Sequence, residues 1–486
     1  MLGKSVHLGT FAAALMVLGA CEPDPGQYLS IAEREYGVSR TYYGSDLRIY
    51  HAALLDPNGT GLHDPGFLVG VENLHPESVE FAPANDPNRR AGERHVLTHI
   101  VRYDLGAPDG TGTGGPGARS CVLFTLLDRP EPDPARHMFD RCPGTAPFRP
   151  SAGTTASASQ GEAINRLRNG IADALRGAPP GRPYSHILLM VMGWNTDQTW
   201  ALGNFNSLAG NLADAAREHG ATFRPLVIGV SWPSQWRLGE WSIVPDVMVR
   251  GLSFPFKRRD GSDTGAHVLR DLILAGVLGA RGESGPPVVM IGHSFGALAL
   301  VRALSTGRAA KKVVNDRGER SGFNKSDRLL LLQGAFEMRA LYQIHGYGPL
   351  APAFAQSRPR VTLTASRYDS AVASVIWGQY AGDMDTYDKA CRGAKGWGPR
   401  LSPMPPNLEP IGCGVVEESP SLKAGLAVCT PTPADKAPPV RGLDGHPIRY
   451  FDASRMINCA QPFTGGGSHS DIFRRETAEF LWREMQ

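Results

Sequence analysis

From about residue 161 onward, short apolar runs alternate with segments of helical periodicity. The runs are nearly continuous rather than alternating between apolar and polar residues, which is typical of strands covered by helices on both faces of a sheet. The pattern predicts an α/β fold with a mainly parallel central sheet. The predicted strands cover 187–192, 226–231, 288–292, 329–333, 361–365 and 448–451, and the predicted helices cover 162–176, 201–219, 265–278, 297–304 and 472–485.

The chain before residue 150 has a different pattern. Short apolar runs alternate there with Gly, Pro and Asn, and the runs at 96–103 and 121–127 are typical of strands. We therefore expect a small β-rich or α+β region at 21–150, whose role the sequence does not reveal. A stretch of small residues at 151–161 predicts a linker, and the second domain is expected to span 151–486.

A long segment, about 377–445, separates the last two predicted strands. It is rich in Pro and Gly and contains three cysteines. Because a structureless loop of that length is improbable inside a compact domain, we predict a disulfide-stapled insertion. Its place next to the last strand makes a lid or specificity element one hypothesis, and a surface subdomain without a role at the site is the other.

The first twenty residues have the pattern of an export signal. Lys4 supplies a positive charge, and the apolar run 11–18 is too short to span a bilayer. The segment Leu18-Gly19-Ala20-Cys21 resembles a bacterial lipobox, which implies cleavage before Cys21 and lipidation of its thiol. Glu22 in the next position favours the outer membrane. We expect a lipid-anchored protein of the cell envelope that faces the periplasm, with an ordinary secretory signal as the alternative.

Charge gives no indication of a nucleic-acid partner. The 50 Lys and Arg residues nearly balance the 47 Asp and Glu residues, and the net charge of +3 is spread along the chain. The short basic cluster Lys257-Arg258-Arg259 is followed directly by Asp260, which is typical of a solvated loop. Apart from the leader, no segment is long and apolar enough to predict a membrane span.

Six cysteines remain besides Cys21, and an even number in an exported chain predicts disulfides. We expect a local Cys121–Cys142 bridge. The other four are expected to pair among themselves in an order that the sequence leaves open. Because no pair has C-x-x-C spacing, the cysteines predict neither a zinc site nor a thioredoxin-type site, and no metal or organic cofactor is expected. The remaining four are Cys391, Cys413, Cys429 and Cys459.

One segment carries the clearest chemical signal. The predicted strand 288–292 runs into Gly292-His293-Ser294-Phe295-Gly296, and a predicted helix follows. In that setting G-x-S-x-G indicates a nucleophile elbow, with Ser294 on a strained strand-to-helix turn. The two glycines lack a Cβ, so the strand and the helix can approach closely. A Gly-rich turn with a capping serine is the alternative.

A serine nucleophile needs a general base and a group that orients the base. In the order Ser, acid, His, the acid is expected after a later strand, where Asp369 follows the predicted strand 361–365. The histidine is expected after the last strand, where His469 precedes the final helix. Helix capping by Asp369 and a surface role for His469 are the alternatives, and His293 is expected to pack beside the elbow. The rival acids are Glu337, Asp383 and Asp385, and the rival histidines are His345 and His446.

Acyl transfer also needs two backbone N–H donors, known as an oxyanion hole, aimed at the developing oxyanion. One is expected from Phe295, the residue after the predicted nucleophile. The other is expected from the loop after the strand 187–192, where Gly193 allows a sharp turn. Trp194 is the expected donor there, with Gly193 and Asn195 as alternatives.

Five segments in order along the chain resemble a bacterial branch of the α/β-hydrolase superfamily, whose members are hydrolases of unknown function with a similar Trp-Pro-Ser segment. The resemblance covers about 180–486 apart from the insertion, and it implies an α/β-hydrolase fold with a Ser294–His469–Asp369 triad. Many relatives have His-Gly where this chain has Met192-Gly193, which alters the polar support of the oxyanion loop. The five segments are Met192-Gly193-Trp194-Asn195, Gly229-Val230-Ser231-Trp232-Pro233-Ser234, Gly292-His293-Ser294-Phe295-Gly296, Ser366-Arg367-Tyr368-Asp369 and Ser468-His469-Ser470-Asp471.

These residues together predict a membrane-anchored serine hydrolase that acts through an acyl-enzyme. An esterase or lipase acting on a small-molecule or lipid ester is the first expectation, because ester hydrolysis requires the least positioning of the substrate. An envelope acyltransferase with the same triad is the second. A non-catalytic binding module of the same fold is the third, since a fold does not guarantee an activity.

Overall fold

The computed structural model describes a set of segments that together carry the sheet and its helices. Within these segments, no helix has the length and apolar composition needed to cross a membrane. The described residues are 61–73, 95–104, 119–125, 141–146, 156–194, 196, 198–232, 234, 254, 257–305, 322–338, 340–341, 359–373, 380–392, 411–417, 438–442, 446, 448–459 and 468–486.

Eleven strands of the described residues form one sheet, in the order β10-β9-β11-β8-β7-β6-β4-β5-β1-β2-β3. The seven strands from β11 to β1 run parallel to their neighbours, as does β9 beside β11. Antiparallel pairs occur at the two edges, β1–β2, β2–β3 and β9–β10. The strands are β1 (Gly66–Asn73), β2 (His95–Asp104), β3 (Arg119–Thr125), β4 (His186–Val191), β5 (Pro225–Ser231), β6 (Val288–His293), β7 (Arg328–Leu332), β8 (Arg360–Ala365), β9 (Gly412–Val416), β10 (Val440–Arg441) and β11 (Ile448–Asp452).

The α/β prediction with a mainly parallel sheet is confirmed. Every residue of β5 and of β7 is buried, as the continuous apolar runs indicated. Helices pack on the sheet, and β6 continues through the turn at Ser294 into α3. The α-helices include α1 (Ala156–Arg176), α2 (Gln198–Glu218), α3 (Phe295–Ser305), α4 (Ser370–Ala373), α5 (Met384–Arg392) and α6 (Arg475–Met485).

Three predicted segments differ from the structure. The predicted linker 151–161 is wrong in its second half, because α1 already begins at Ala156. The predicted helix 265–278 is wound as two π-helical segments, Thr264–Leu269 and Leu272–Leu278, with i→i+5 hydrogen bonds. The last helix begins at Arg475, three residues later than predicted.

The strands of the N-terminal region belong to the same sheet as the later strands. β1 pairs in parallel with β5, from Gly66 beside Val227 to Gly70 beside Ser231. A Cβ at Gly66 would overlap the Val227 carbonyl, so this close pairing needs glycine at position 66. α1 packs against both β2 and β3. The sheet therefore crosses the expected boundary at residue 150.

The described parts of the insertion extend the opposite edge of the sheet. β9 and β10 both lie in it, and β9 pairs with β11. The Cys391–Cys413 disulfide joins α5 to β9. The predicted Cys121–Cys142 bridge is confirmed. Cys459 is also disulfide-bonded, and Cys429 lies outside the described residues.

The order of the strands reverses at one position along the sheet, next to β4. The chain leaves β4 for β5 on one side, and β6 then pairs with β4 on the other side. The carboxyl ends of parallel strands lie at one edge of a sheet, and ligands bind in α/β sheets where the strand order reverses in this way. The segments that follow β4 and β6 therefore flank the position where a binding crevice is expected.

Candidate active site

Ser294 lies on the turn between β6 and α3. Its φ is +55°, a left-handed conformation that residues with a side chain rarely adopt. A Cβ on Gly292 would lie 2.7 Å from the Ala297 nitrogen, and one on Gly296 would overlap the Val191 carbonyl. The local prediction of a strained strand-to-helix turn that depends on these two glycines is confirmed.

The neighbouring strand braces this turn through the backbone. The Ser294 nitrogen donates to the Leu332 carbonyl at 3.1 Å, and the Ala335 nitrogen donates to the Ser294 carbonyl at 3.2 Å. Both partners come from the end of β7 and the loop after it. Ser294 itself is 3% exposed, so the strained turn is fixed against the end of β7 and shielded from solvent.

Asp369 follows β8 and is fully buried. Its Oδ1 accepts hydrogen bonds from the nitrogens of Ala371 and Val372, at 3.0 and 3.2 Å. These two donors belong to the first turn of α4, so the carboxylate caps that helix. Its Oδ2 remains available for other partners on the side of the site.

His469 contacts this second oxygen. Its Nδ1 lies 2.8 Å from Asp369 Oδ2, and because a carboxylate only accepts, Nδ1 carries the hydrogen. The loop that holds His469 is tied to the acid loop by a bond from the Ser468 nitrogen to the Tyr368 carbonyl, at 2.9 Å. The structure thus brings together two predicted site residues that are 100 positions apart.

His293 joins His469 to the turn that carries Ser294. Its Nε2 donates to the His469 carbonyl at 2.8 Å, and the two rings lie 4.6 Å apart. Burial, with a smaller effect from the charge of His469, lowers the pKa of His293 from 6.5 to about 3. His293 is therefore neutral near pH 7, and it holds the backbone of His469 beside the Ser294 turn.

The loop after β4 lies directly against Ser294. A Cβ on Gly193 would be 3.1 Å from the Cβ of Ser294. The ring of Trp194 lies 5.4 Å from that of Phe254 and 6.2 Å from that of Phe295, which is the first residue of α3. The three residues expected to supply an oxyanion hole, Gly193, Trp194 and Phe295, are thus adjacent to one another and to Ser294.

The Trp-Pro-Ser segment clamps this loop, a role that the sequence analysis missed. The indole nitrogen of the fully buried Trp232 donates to the Met192 carbonyl at 2.9 Å. Ser234 Oγ accepts from the Thr196 nitrogen at 3.2 Å and donates to the Thr196 carbonyl at 2.8 Å. The signal that could have found this clamp is a tryptophan directly after a predicted strand, since a buried indole N–H requires an acceptor.

The rival acids and histidines have other contacts. Glu337 pairs with Arg258 at 2.8 Å. The Asp383 carboxylate accepts from the Asp385 nitrogen at the start of α5. The imidazole of His446 borders Gly412 in β9, and His345 lies outside the described residues. Among the described residues, the side chains of these rivals form no hydrogen bond or ion pair with His469 or Asp369.

Comparisons with known proteins give no further information about the site. No protein-family model, curated protein or solved structure matches the chain. Within the segments described above, no group of three or more His, Cys, Asp or Glu side chains is placed to hold a metal ion. The expected lipidation site, Cys21, lies outside the described residues. Function is therefore inferred from the geometry of the site.

Proposed function

We propose that the chain is a serine hydrolase of the α/β-hydrolase fold that cleaves carboxylic esters through an acyl-enzyme on Ser294. The observation that carries the proposal is the hydrogen bond from His469 Nδ1 to the buried Asp369 carboxylate, with the His469 backbone held by His293, the residue directly before a serine on a strained turn. An oriented imidazole next to such a serine is the arrangement that activates a hydroxyl.

The proposed reaction begins with a proton transfer. As His469 Nε2 accepts the Ser294 hydroxyl proton, Oγ attacks the ester carbonyl, which requires a separation of about 2.6–3.2 Å between Oγ and Nε2. The resulting imidazolium is stabilised by the Asp369 carboxylate. His469 then gives the proton to the leaving alcohol as its C–O bond breaks, which leaves the acyl-enzyme. In the second step His469 takes a proton from water, which attacks the acyl carbonyl, and returns the proton to Ser294 Oγ as the acid is released.

The loop after β4 and the start of α3 supply the proposed oxyanion hole. Gly193 lies against Ser294, so the backbone N–H of Gly193 or of Trp194 can point at the developing oxyanion. Phe295 opens α3, where the N–H groups of the first turn have no partner within the helix. Removal of one such donor typically lowers the rate by about 10²–10³.

The topology supports the proposal independently of the side-chain contacts. Ser294 and Gly193 follow β6 and β4, the two strands at which the order of the sheet reverses. Asp369 follows β8 at the same edge, and His469 comes last in the chain. The order Ser, Asp, His is that of the α/β-hydrolases.

The proposed substrate is a small-molecule or lipid ester, and the proposed location is the cell envelope. A Cys21 that carries more than one acyl chain would hold the protein stably on a membrane, since each buried CH₂ contributes about 0.8 kcal/mol to the free energy of membrane binding. We expect the wild-type chain to incorporate labelled palmitate in cells and the Cys21→Ser variant to incorporate none. Incorporation that survives this substitution would contradict lipidation at Cys21.

Pre-steady-state kinetics with a p-nitrophenyl ester test the proposed reaction. We expect a burst of p-nitrophenol that is stoichiometric with enzyme and absent in Ser294→Ala. Product analysis with and without an added alcohol then separates the hydrolase, which forms the free acid, from the acyltransferase, which forms a new ester. A folded protein that neither hydrolyses nor transfers any of a panel of acyl chains would favour the binding module.

A further inference from the structure

Gln333 is a fully buried amide at the carboxyl end of β7, between the strands that lead to Ser294 and Asp369. Its φ is +46°. Among the described residues other than glycine, only Ser294 shares a positive φ with it. Backbone strain of this kind persists only where the surrounding structure fixes it, and it concentrates at functional sites. Gln333 is therefore a candidate for a role at the site.

The surroundings of Gln333 determine which way its amide points. Its Nε2 lies 2.9 Å from Asp369 Oδ2, and because a carboxylate only accepts, this atom must be the NH₂ group. Its Oε1 accepts from the hydroxyl of Thr364 at 3.0 Å, and the same hydroxyl accepts from the Gln333 nitrogen at 3.1 Å. Thr364 thus fixes both ends of the residue.

The backbone of Gln333 is enclosed as well. A Cβ on Gly382 would lie 2.6 Å from the Gln333 carbonyl carbon, and the Gly382 nitrogen donates to the Gly334 carbonyl at 2.9 Å. The start of the insertion therefore packs directly on the strained residue. The amide is held on Asp369 by a hydroxyl on one side and by a closely packed backbone on the other.

Gln333 and His469 donate to the same oxygen of Asp369. Asp369 Oδ2 accepts from Gln333 Nε2 at 2.9 Å and from His469 Nδ1 at 2.8 Å, whereas Oδ1 accepts from the backbone of α4. Two donors on each oxygen fix the plane of the carboxylate. The direction in which His469 Nδ1 donates its hydrogen bond depends on that plane.

We propose that Gln333 is a positioning residue whose amide orients the Asp369 carboxylate and thereby holds His469 in its Nδ1–H form. The consequence for turnover rests on the proposed function, but the consequence for the histidine does not. Within the described residues the Gln333 amide forms no hydrogen bond to Ser294 or His469, so it acts through Asp369.

Three variants of the full chain separate this role from general packing. Gln333→Met keeps the length of the side chain and removes the donor. Gln333→Glu replaces the donor by a carboxyl that can donate to Asp369 only while it is protonated. Gln160→Met is the matched control, because Gln160 donates to the His267 carbonyl at 2.7 Å on α1, away from the site.

The first readout is NMR of chain labelled with ¹⁵N-histidine. We expect a low-field Nδ1–H proton of His469, assigned by its loss in His469→Ala, in the wild type and in Gln160→Met. In Gln333→Met the same proton should move upfield or exchange with water many times faster. An unchanged resonance in folded Gln333→Met would overturn the proposal.

The second readout is the rate at which a fluorophosphonate labels Ser294 across a pH series. Gln333→Met should lower the maximal rate by about 10- to 100-fold, as when other supporting hydrogen-bond partners are removed, and leave the half-saturating reagent concentration unchanged. Gln333→Glu should lose its rate as the pH rises and regain it as the pH falls. A pH profile in Gln333→Glu that matches that of the unsubstituted protein contradicts the proposal. If the unsubstituted protein is never labelled, the proposed function is overturned, and the NMR result still decides the role of Gln333.

Discussion

Asp369 has two roles that the sequence presented as alternatives. Oδ1 caps α4 and Oδ2 holds His469, so one buried carboxylate serves a helix and a histidine at once. The position of Asp369 after a strand could be read from the sequence. Gln333 could not, because it falls at the end of a predicted strand 329–333, and only the observed end of β7 at Leu332 frees it to turn towards the acid.

The two acids near the site form a matched pair for substitution. Asp369→Asn removes the acceptor that fixes the Nδ1–H form of His469, so we expect the rate of Ser294 labelling to fall by roughly 10³–10⁴. Glu337→Gln affects a carboxylate that is paired with Arg258 and should lower the rate less than tenfold. The reverse ranking in a labelling time course would transfer the acid role to Glu337.

The neutral His293 predicts a pH dependence of stability. Its folded pKa of about 3 lies below the ordinary 6.5. As the pH falls through that window, the unfolded chain binds a proton that the folded chain does not, so the free energy of unfolding should decrease, by at most about 1.4 kcal/mol per pH unit. Chemical denaturation of His293→Gln should show a shallower loss between pH 6.5 and pH 4 than the wild type. His63 is exposed, so His63→Gln is the control and should retain the wild-type slope. Equal slopes in all three proteins would contradict a neutral, buried His293 in the folded chain.

At the scale of elements, the loop after β4, which is the proposed source of one oxyanion donor, is held by side chains of the segment after β5. Many members of the superfamily that the sequence resembles carry a histidine at the position of Met192. Here the Met192 carbonyl is held by the Trp232 indole, and the Thr196 backbone by Ser234. The clamp offers an account of how the loop keeps its shape without that histidine.

Trp232→Phe tests the clamp. The substitution removes one N–H and leaves the buried Met192 carbonyl without this donor, at a cost of about 1–3 kcal/mol. We expect the rate of Ser294 labelling to fall about tenfold or more, because Gly193 is no longer held against Ser294. Trp482→Phe is the control, since Trp482 lies in α6 and packs on Phe223. It should lower the melting temperature without slowing labelling, and equal labelling rates in both variants would contradict a role for the clamp.

The bounds of most elements could be predicted, and the exceptions share a physical cause. The strands from β4 to β8 lie within one residue of their predicted ends, because a buried parallel strand has a distinctive apolar run. The start of α1 was missed because its small residues have the composition of a linker. Tertiary contacts decide it, since Ser159 is fully buried and Gln160 bonds to the His267 carbonyl. β1 was missed altogether, because glycines interrupt it and its pairing with β5 is long-range.

At the scale of the whole molecule, one sheet connects the N-terminal strands to the site. β1 lies beside β5, which is separated from β6 only by β4. The core is continuous from Phe67 in β1 to Leu481 in α6. Loss of the β1–β5 pairing should therefore weaken the part of the fold that carries the candidate site.

Two glycine substitutions test this continuity. Gly66→Ala places a Cβ on the Val227 carbonyl and should destabilise the fold by about 1–3 kcal/mol, as overpacking does. Gly161→Ala places a Cβ in open space within α1 and should be neutral or stabilising by about 0.5–1 kcal/mol. Thermal unfolding followed by near-ultraviolet circular dichroism should show the main transition lowered in Gly66→Ala alone. A transition that stays in place would mean that the N-terminal strands contribute no stability to the rest of the sheet.

Covalent labelling with a fluorophosphonate tests the central claim, an activated Ser294, most directly. The full chain and Ser294→Ala are treated in parallel, and the labelled peptide is mapped by mass spectrometry. The account predicts one modified residue, Ser294, no labelling of the folded Ser294→Ala variant, and competition by an ester substrate. A correctly folded wild type that resists the reagent, or labelling that maps to another serine, would contradict it.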